Sequence, residues 1–264
     1  MLLLGASTAG IAGTANPVGH ARTGYAIAAV VAVFALVAVH LITQISAQRR
    51  DAETRELVAR YCAAIEKRSG TRWRVTRWAQ ESDIAANGDT SAKIDFTLAV
   101  EADHVDFVSF TDRVNWDWPA RHRSRVRVRV EAVDANERSH VRSTVVWLSA
   151  TTMKVLVHLD EPLARGSVCR VRATVDWPAK CAPLMKAARA DELLASFGSD
   201  VEEIAQRVTL PAGFHVRVEP VGVGQGMGEY SAVTGLDASG RTSVRLVARA
   251  VPAYRKVGVR LDVV

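Results

Sequence analysis

Five arginines stand between positions 121 and 130, with no acidic residue among them. Arg125, Arg127 and Arg129 alternate with Val126, Val128 and Val130, the period-two pattern of a strand with one buried face. Such a strand places the valines in a core and a guanidinium row on the opposite side. Arg170 and Arg172 alternate with Cys169, Val171 and Ala173 in the same way. If the two strands share a sheet, these five arginines form a face that engages phosphate or carboxylate groups, whose geometry matches the guanidinium fork. An anionic ligand, a lipid headgroup or an acidic protein partner would satisfy it. The competing reading is a solvated face neutralised by acids on neighbouring strands, Glu131 or Asp160 for instance. Nucleic acid is disfavoured, because Trp73, Trp78, Trp116 and Trp118 are not interleaved with the row and no helix-turn-helix or stacking motif is present.

Other chemistry is thin. Cys62, Cys169 and Cys181 make no C-x-x-C pair, which excludes finger and ribbon zinc sites. Cys169 and Cys181 could bridge across a loop in an oxidising compartment; otherwise all three are buried thiols acting as small hydrophobes. The seven histidines are dispersed, so neither a metal nor a cofactor is expected from spacing. There is no phosphate-binding G-x-x-x-x-G-K-[ST], no H-E-x-x-H and no G-x-S-x-G. Gly222, Gly224, Gly226 and Gly228 alternate through a segment that lacks the following helix of a dinucleotide site and reads as a hairpin loop. Asp176 or Glu229 could serve as a general base, but nothing singles either out. The tetrapeptide Asp-Trp-Pro-Ala occurs at 117–120 and again at 176–179. Its prolines would stop a central strand and its tryptophans would cover an open core edge, so both copies read first as structure and only second as the mark of a duplicated module.

The elements that must position these residues begin with a membrane segment. Residues 25–45, from Tyr25 to Ile45, carry no charge at neutral pH, and as a helix they would cross the roughly 30 Å hydrocarbon core of a bilayer. Residues 1–24 form a leader, with a second apolar stretch at 1–15 that could make a helical hairpin through Asn16 and Pro17. Arg49, Arg50, Arg55 and Arg60 outnumber Arg22 on the other flank, which favours a cytoplasmic C-terminal domain in the cell membrane. His40 lies near the end of the span and reads as a neutral imidazole near the headgroups. Residues 46–70 read as a helical stalk with Leu57, Tyr61, Ala64 and Ile65 on one stripe, either a seam for self-association or the side that rests on the domain.

From residue 71 to 264 the chain alternates short strands with polar turns. Candidate strands fall at 71–78, 93–100, 105–110, 124–133, 141–148, 153–159, 168–175, 201–209, 214–219, 242–250 and 256–263. Turns fit at Asn87-Gly88-Asp89, 134–136, 165–167, 211–213 and 237–240. One short helix is inserted, opening at Pro183, with Leu184 and Leu194 on its stripe and Phe197-Gly198 as its end. The expected fold is mainly β: an N-terminal transmembrane helix, a helical stalk and an antiparallel β-sandwich of immunoglobulin-like or related type, divisible into two modules near 180–200. The expected role is a membrane-anchored, non-enzymatic recognition or sensor module. An extracytoplasmic accessory subunit of a cell-envelope transport or secretion assembly and a membrane-tethered enzyme are the alternatives. The chain holds 34 basic and 28 acidic side chains. The five arginines of 121–130 therefore account for most of the formal charge of +6.

Overall fold

The computed structural model describes residues 17–69, 72–133, 138–224 and 226–264. The leader at 1–16, the stalk terminator at Gly70 and the turn at 134–136 lie outside the described residues. The chain divides into two units, Met1–Thr54 and Arg55–Val264.

The sequence expected as span and stalk is one continuous helix, α1 (Pro17–Ser69), whose residues up to Thr54 fall in the first unit. Its side chains are described from Val31 to Ala47 and in part beyond, and large apolar ones stand exposed between Val31 and Ile45: Phe34, Leu36 and Ile42 are 70%, 71% and 63% exposed. Polar side chains in this stretch bond back to the helix itself. Thr43 Oγ1 donates to the carbonyl of His40 at 2.8 Å and Ser46 Oγ to that of Ile42 at 2.8 Å. Among the described residues no helix is long and apolar enough to cross a membrane; the side chains of 25–30, which open the apolar run, lie outside them.

In the second unit period-two alternation produces strands. Before the short helix come β1 (Trp73–Ile84), β2 (Thr90–Val100), β3 (His104–Arg113), β4 (Arg127–Val133), β5 (Arg138–His140), β6 (Ser143–Trp147), β7 (Thr152–Ala164) and β8 (Val168–Trp177). After the short helix α2 (Ala182–Ala187) come β9 (Asp191–Ala195), β10 (Val201–Ala212), β11 (Val216–Val221), β12 (Tyr230–Leu236), β13 (Arg241–Val251) and β14 (Val257–Val263). The fold is mainly β, with several sheets and few helices. An eight-stranded sheet runs β12-β13-β10-β1-β2-β8-β4-β5, and two three-stranded sheets run β11-β14-β9 and β3-β7-β6.

The large sheet buries one face over β1, β2, β8, β10 and β13, while its edge strand β12 is exposed. Trp78 of β1, Phe96 and Leu98 of β2, Val171 and Val175 of β8, Ile204 of β10 and Leu246 of β13 are all closed off from water. Both small sheets contribute to that same core, Phe110 and Val155 from one and Leu193 and Val259 from the other. One pairing departs from the antiparallel expectation. β1 and β10, far apart in sequence, run parallel, with Trp78 beside Ile204.

Three further expectations are corrected. The inserted helix stops at Ala187, where Ala188 turns left-handed at φ 47°, and Leu194 belongs to β9 instead. The glycine-rich run is not a hairpin loop, since the strands it joins, β11 and β12, lie in different sheets. On the stalk, Leu57 and Tyr61 face water, while Val58, Cys62 and Ile65 pack against Phe107 and Leu156. The Asn87-Gly88-Asp89 turn forms as expected. Gly88 has φ +85°, and a Cβ there would meet the Ala182 backbone at 2.4 Å, so glycine alone admits that contact.

Candidate functional site: a cleft between two strand edges

The arginine face forms in part. Arg127 and Arg129 lie on β4, opposite Asp176 and Thr174 of β8, and Glu131 lies opposite Arg172. With Arg170 and Arg172 they point away from the core, on the outer face of the eight-stranded sheet. Arg125 is not on that strand, because it ends a 3-10 turn at Ala120–Arg125.

The anticipated neutralisation is present but comes from another acid. Asp95 on β2 accepts two hydrogen bonds from Arg170, both at 2.6 Å, and one from Arg172 Nε at 3.0 Å. Partial burial pushes the Asp95 carboxyl up, but the bonds and charges of the two guanidinium groups outweigh this and hold it below the ordinary carboxylate value. Asp176 accepts from Ser91 at 2.8 Å and lies 3.5 Å from Arg129. The predicted row is thus mostly a compensated charge lattice on a solvated face.

A more enclosed site lies on the other face of the sheet. A cleft of about 370 Å³ opens between β3 and β9, within the size range of ligand pockets. Its floor is aromatic. The Trp78 ring lies 5.4 Å from Phe96, 6.3 Å from Phe110 and 5.1 Å from Phe197. Trp78 Nε1 is shut off from water and has no hydrogen-bond partner among the described residues, an arrangement that costs about 1–3 kcal/mol while it lasts.

The walls are strand edges. β3 pairs only with β7, and β9 only with β14, so each is the terminal strand of its sheet. The cleft is pinned shut at one end, where Asn115 Nδ2 donates to Asp191 Oδ1 at 3.2 Å and to the Glu192 carbonyl at 2.5 Å. From this junction β3 runs back towards Ser109 and β9 runs forward to Ser196, so the two edges have opposite sense along the cleft.

Buried polar groups hold the closed end. Lys180 Nζ donates to both Asp112 carboxylate oxygens at 2.6 Å, with side chains only 5% and 14% exposed. The same ammonium sits 4.9 Å from the centre of the Trp177 ring. Cys181 is a buried thiol, as are Cys62 and Cys169, and the bridge between Cys169 and Cys181 is not formed. Burial, reinforced by the Asp191 charge, pushes the Cys181 thiol up to about 12, which makes it a poor nucleophile at neutral pH. Burial also raises the Asp191 carboxyl, against the opposing hydrogen bond from Asn115.

The two Asp-Trp-Pro-Ala copies brace this end. Trp118 and Trp177 meet at 5.5 Å, and Trp118 Nε1 donates to the Pro178 carbonyl at 2.9 Å. Asp176 and Glu229, the acids weighed as general bases, do not line the cleft. Sequence reasoning missed this site because its floor is made of residues that any core would use. The one available signal was Phe197, a large aromatic beside Gly198 in a segment otherwise read as a helix end.

No protein-family model matches the chain, and no curated protein matches it. Among solved structures it is similar to a putative protease from Parabacteroides distasonis, with a TM-score of 0.46 and 11% identity over 73% of this chain and 40% of that one. It is also similar to an M1 zinc metallopeptidase from Deinococcus radiodurans, with a TM-score of 0.45 and 15% identity over 72% and 42%. The chain therefore spans about two fifths of the length of these structures. The expectation of a non-enzymatic recognition or sensor module is corrected on this finding, since these neighbours are peptidases by name. Likeness at this level transfers no catalytic residue, metal or substrate.

Proposed function

We propose that this chain is a membrane-tethered domain that holds an extended polypeptide in the cleft between β3 and β9. The observation that carries the reading is the pair of unpaired strand edges flanking an aromatic floor. An extended segment laid between them would pair parallel with one edge and antiparallel with the other, joining the two three-stranded sheets across the core. Main-chain hydrogen bonds supply affinity in this mode, and alternate side chains supply selectivity. One large apolar side chain would fill the space over Trp78, Phe110 and Phe197. The layering supports a two-layer β-sandwich of a mixed rather than immunoglobulin type, with the cleft as a gap in the thinner layer. The role rests on this geometry and takes nothing from the peptidase neighbours.

The tether reading is supported by α1, whose described side chains from Val31 to Ile45 leave large apolar groups bare. An apolar surface of that kind is stable in lipid and unfavourable in water. Arg49, Arg50, Arg55 and Arg60 favour placing the β unit on the cytoplasmic side. Leu57 and Tyr61, exposed one turn apart at 65% and 71%, support self-association through the stalk.

Strand addition has a direct chemical test. A capped, extended peptide with a central phenylalanine is titrated into the full chain in detergent micelles, beside a copy N-methylated on alternate amides. Loss of the donors should weaken binding by about tenfold or more. Equal binding of both peptides would show that side chains alone are held, and strand addition would be abandoned.

A further inference from the structure

The charges at the two ends of the cleft select among polypeptides. Four basic residues line it, Arg113, Lys154, Lys180 and Lys256, against two acids, Asp112 and Glu192. Lys180 and Asp112 neutralise one another inside, which leaves Arg113, Lys154 and Lys256 against the single carboxylate of Glu192, with Lys154 and Glu192 half-buried. Arg113 and Lys256 are exposed, and neither has an acidic partner among the described residues. They stand at opposite ends. Arg113 closes β3 two residues before Asn115 at the pinned junction, whereas Lys256 precedes Val257, the partner of Ala195 on β9. From Glu192 at the junction to Ser196 beside Lys256 is four residues, about 13 Å of extended chain.

On the strength of the polypeptide-holding reading, we infer that the cleft is selective for an extended segment in which acidic residues about four positions apart flank a large apolar one. The apolar side chain occupies the aromatic floor of Trp78, Phe110 and Phe197. The flanking carboxylates meet Arg113 at the closed end and Lys256 at the open end. A cation at each end also fixes the register of a segment with two carboxylates, because a slip of one residue turns every side chain to the other face. A segment with basic flanks would bring like charges together at both ends.

The test compares three capped pentapeptides on the full chain in detergent micelles: Asp-Val-Phe-Val-Asp, Asn-Val-Phe-Val-Asn and Lys-Val-Phe-Val-Lys. Affinity is read by titration calorimetry, and amide exchange in β3 and β9 is followed in parallel. The acidic peptide should bind at least fivefold more tightly than the amide one and still more tightly than the basic one. The advantage should shrink in high salt and fall away in the Arg113→Ser/Lys256→Ser double variant. Should all three bind equally and slow exchange in β3 and β9, the charge selectivity is wrong and the polypeptide-holding reading stands. Should none slow exchange there, the polypeptide-holding reading itself is wrong.

Discussion

Asp191 is the residue on which the closed end of the cleft turns. Its carboxyl is buried between the Asn115 amide and the Cys181 thiol, and burial raises its pKa above the ordinary value. A carboxyl raised on folding binds its proton more tightly in the native state than in the unfolded chain. Its cost to stability is therefore absent below the unfolded value near 4 and grows as pH rises from there through the folded value, after which it is constant. Asp191→Asn removes the charge and keeps an acceptor for Asn115. The variant should gain stability relative to the native protein as pH rises from 3 to 7, by about 1.4 kcal/mol for each unit of elevation. Denaturant midpoints followed by tryptophan fluorescence measure this, and a difference that does not change with pH would remove Asp191 from the account. The arginine row teaches the opposite lesson at this scale. Its residue types were plain in the sequence, but the acid that neutralises Arg170 and Arg172 is Asp95, about 75 residues away along the chain, and alternation within one strand says nothing of which strand lies beside it.

Among the elements, β9 decides whether a cleft exists. It is held to the body of the unit by β14, and the approach is close: a Cβ on Gly258 would lie 1.9 Å from the Leu193 carbonyl oxygen. Gly258→Ala should push β9 off β14 and lower stability by about 1–3 kcal/mol, with a larger loss of peptide binding, since β9 is one wall. A variant with an unshifted unfolding midpoint would show that the two strands are not in contact as described. Much of the surrounding sheet was legible beforehand. In β2, β8, β10 and β13 strict alternation places every second apolar residue inward, and those strands appear with ends moved by a few residues. β9 was not legible. Asp191 to Ala195 holds no β-branched residue and follows directly on a helical pattern, so its extended form is imposed by β14 and not by its own propensity. The parallel pairing of β1 with β10 was hidden for a related reason: partners far apart in sequence are chosen by the whole core. The cleft was hidden for both reasons together, because Trp78, Phe110 and Phe197 become neighbours only when β1, β3 and the segment after β9 are assembled.

At the scale of the whole molecule, the tether and the cleft make separate demands. A helix with large apolar side chains bare from Val31 to Ile45 should partition with lipid, so the full chain should stay with membranes through carbonate and high-salt washing and leave only in detergent. Release by carbonate alone would contradict the tether and would leave the cleft untouched. The cleft makes its own demand on backbone amides, because a strand added between two edges must slow their exchange, while a ligand held by side chains need not. The decisive measurement is hydrogen exchange on the full chain in micelles, with and without an extended peptide bearing a central phenylalanine. The account predicts slowed exchange in β3 (His104–Arg113) and β9 (Asp191–Ala195), with no change in β12 (Tyr230–Leu236), the terminal strand of the large sheet. Protection confined to β12, or none in β3 and β9, would contradict it.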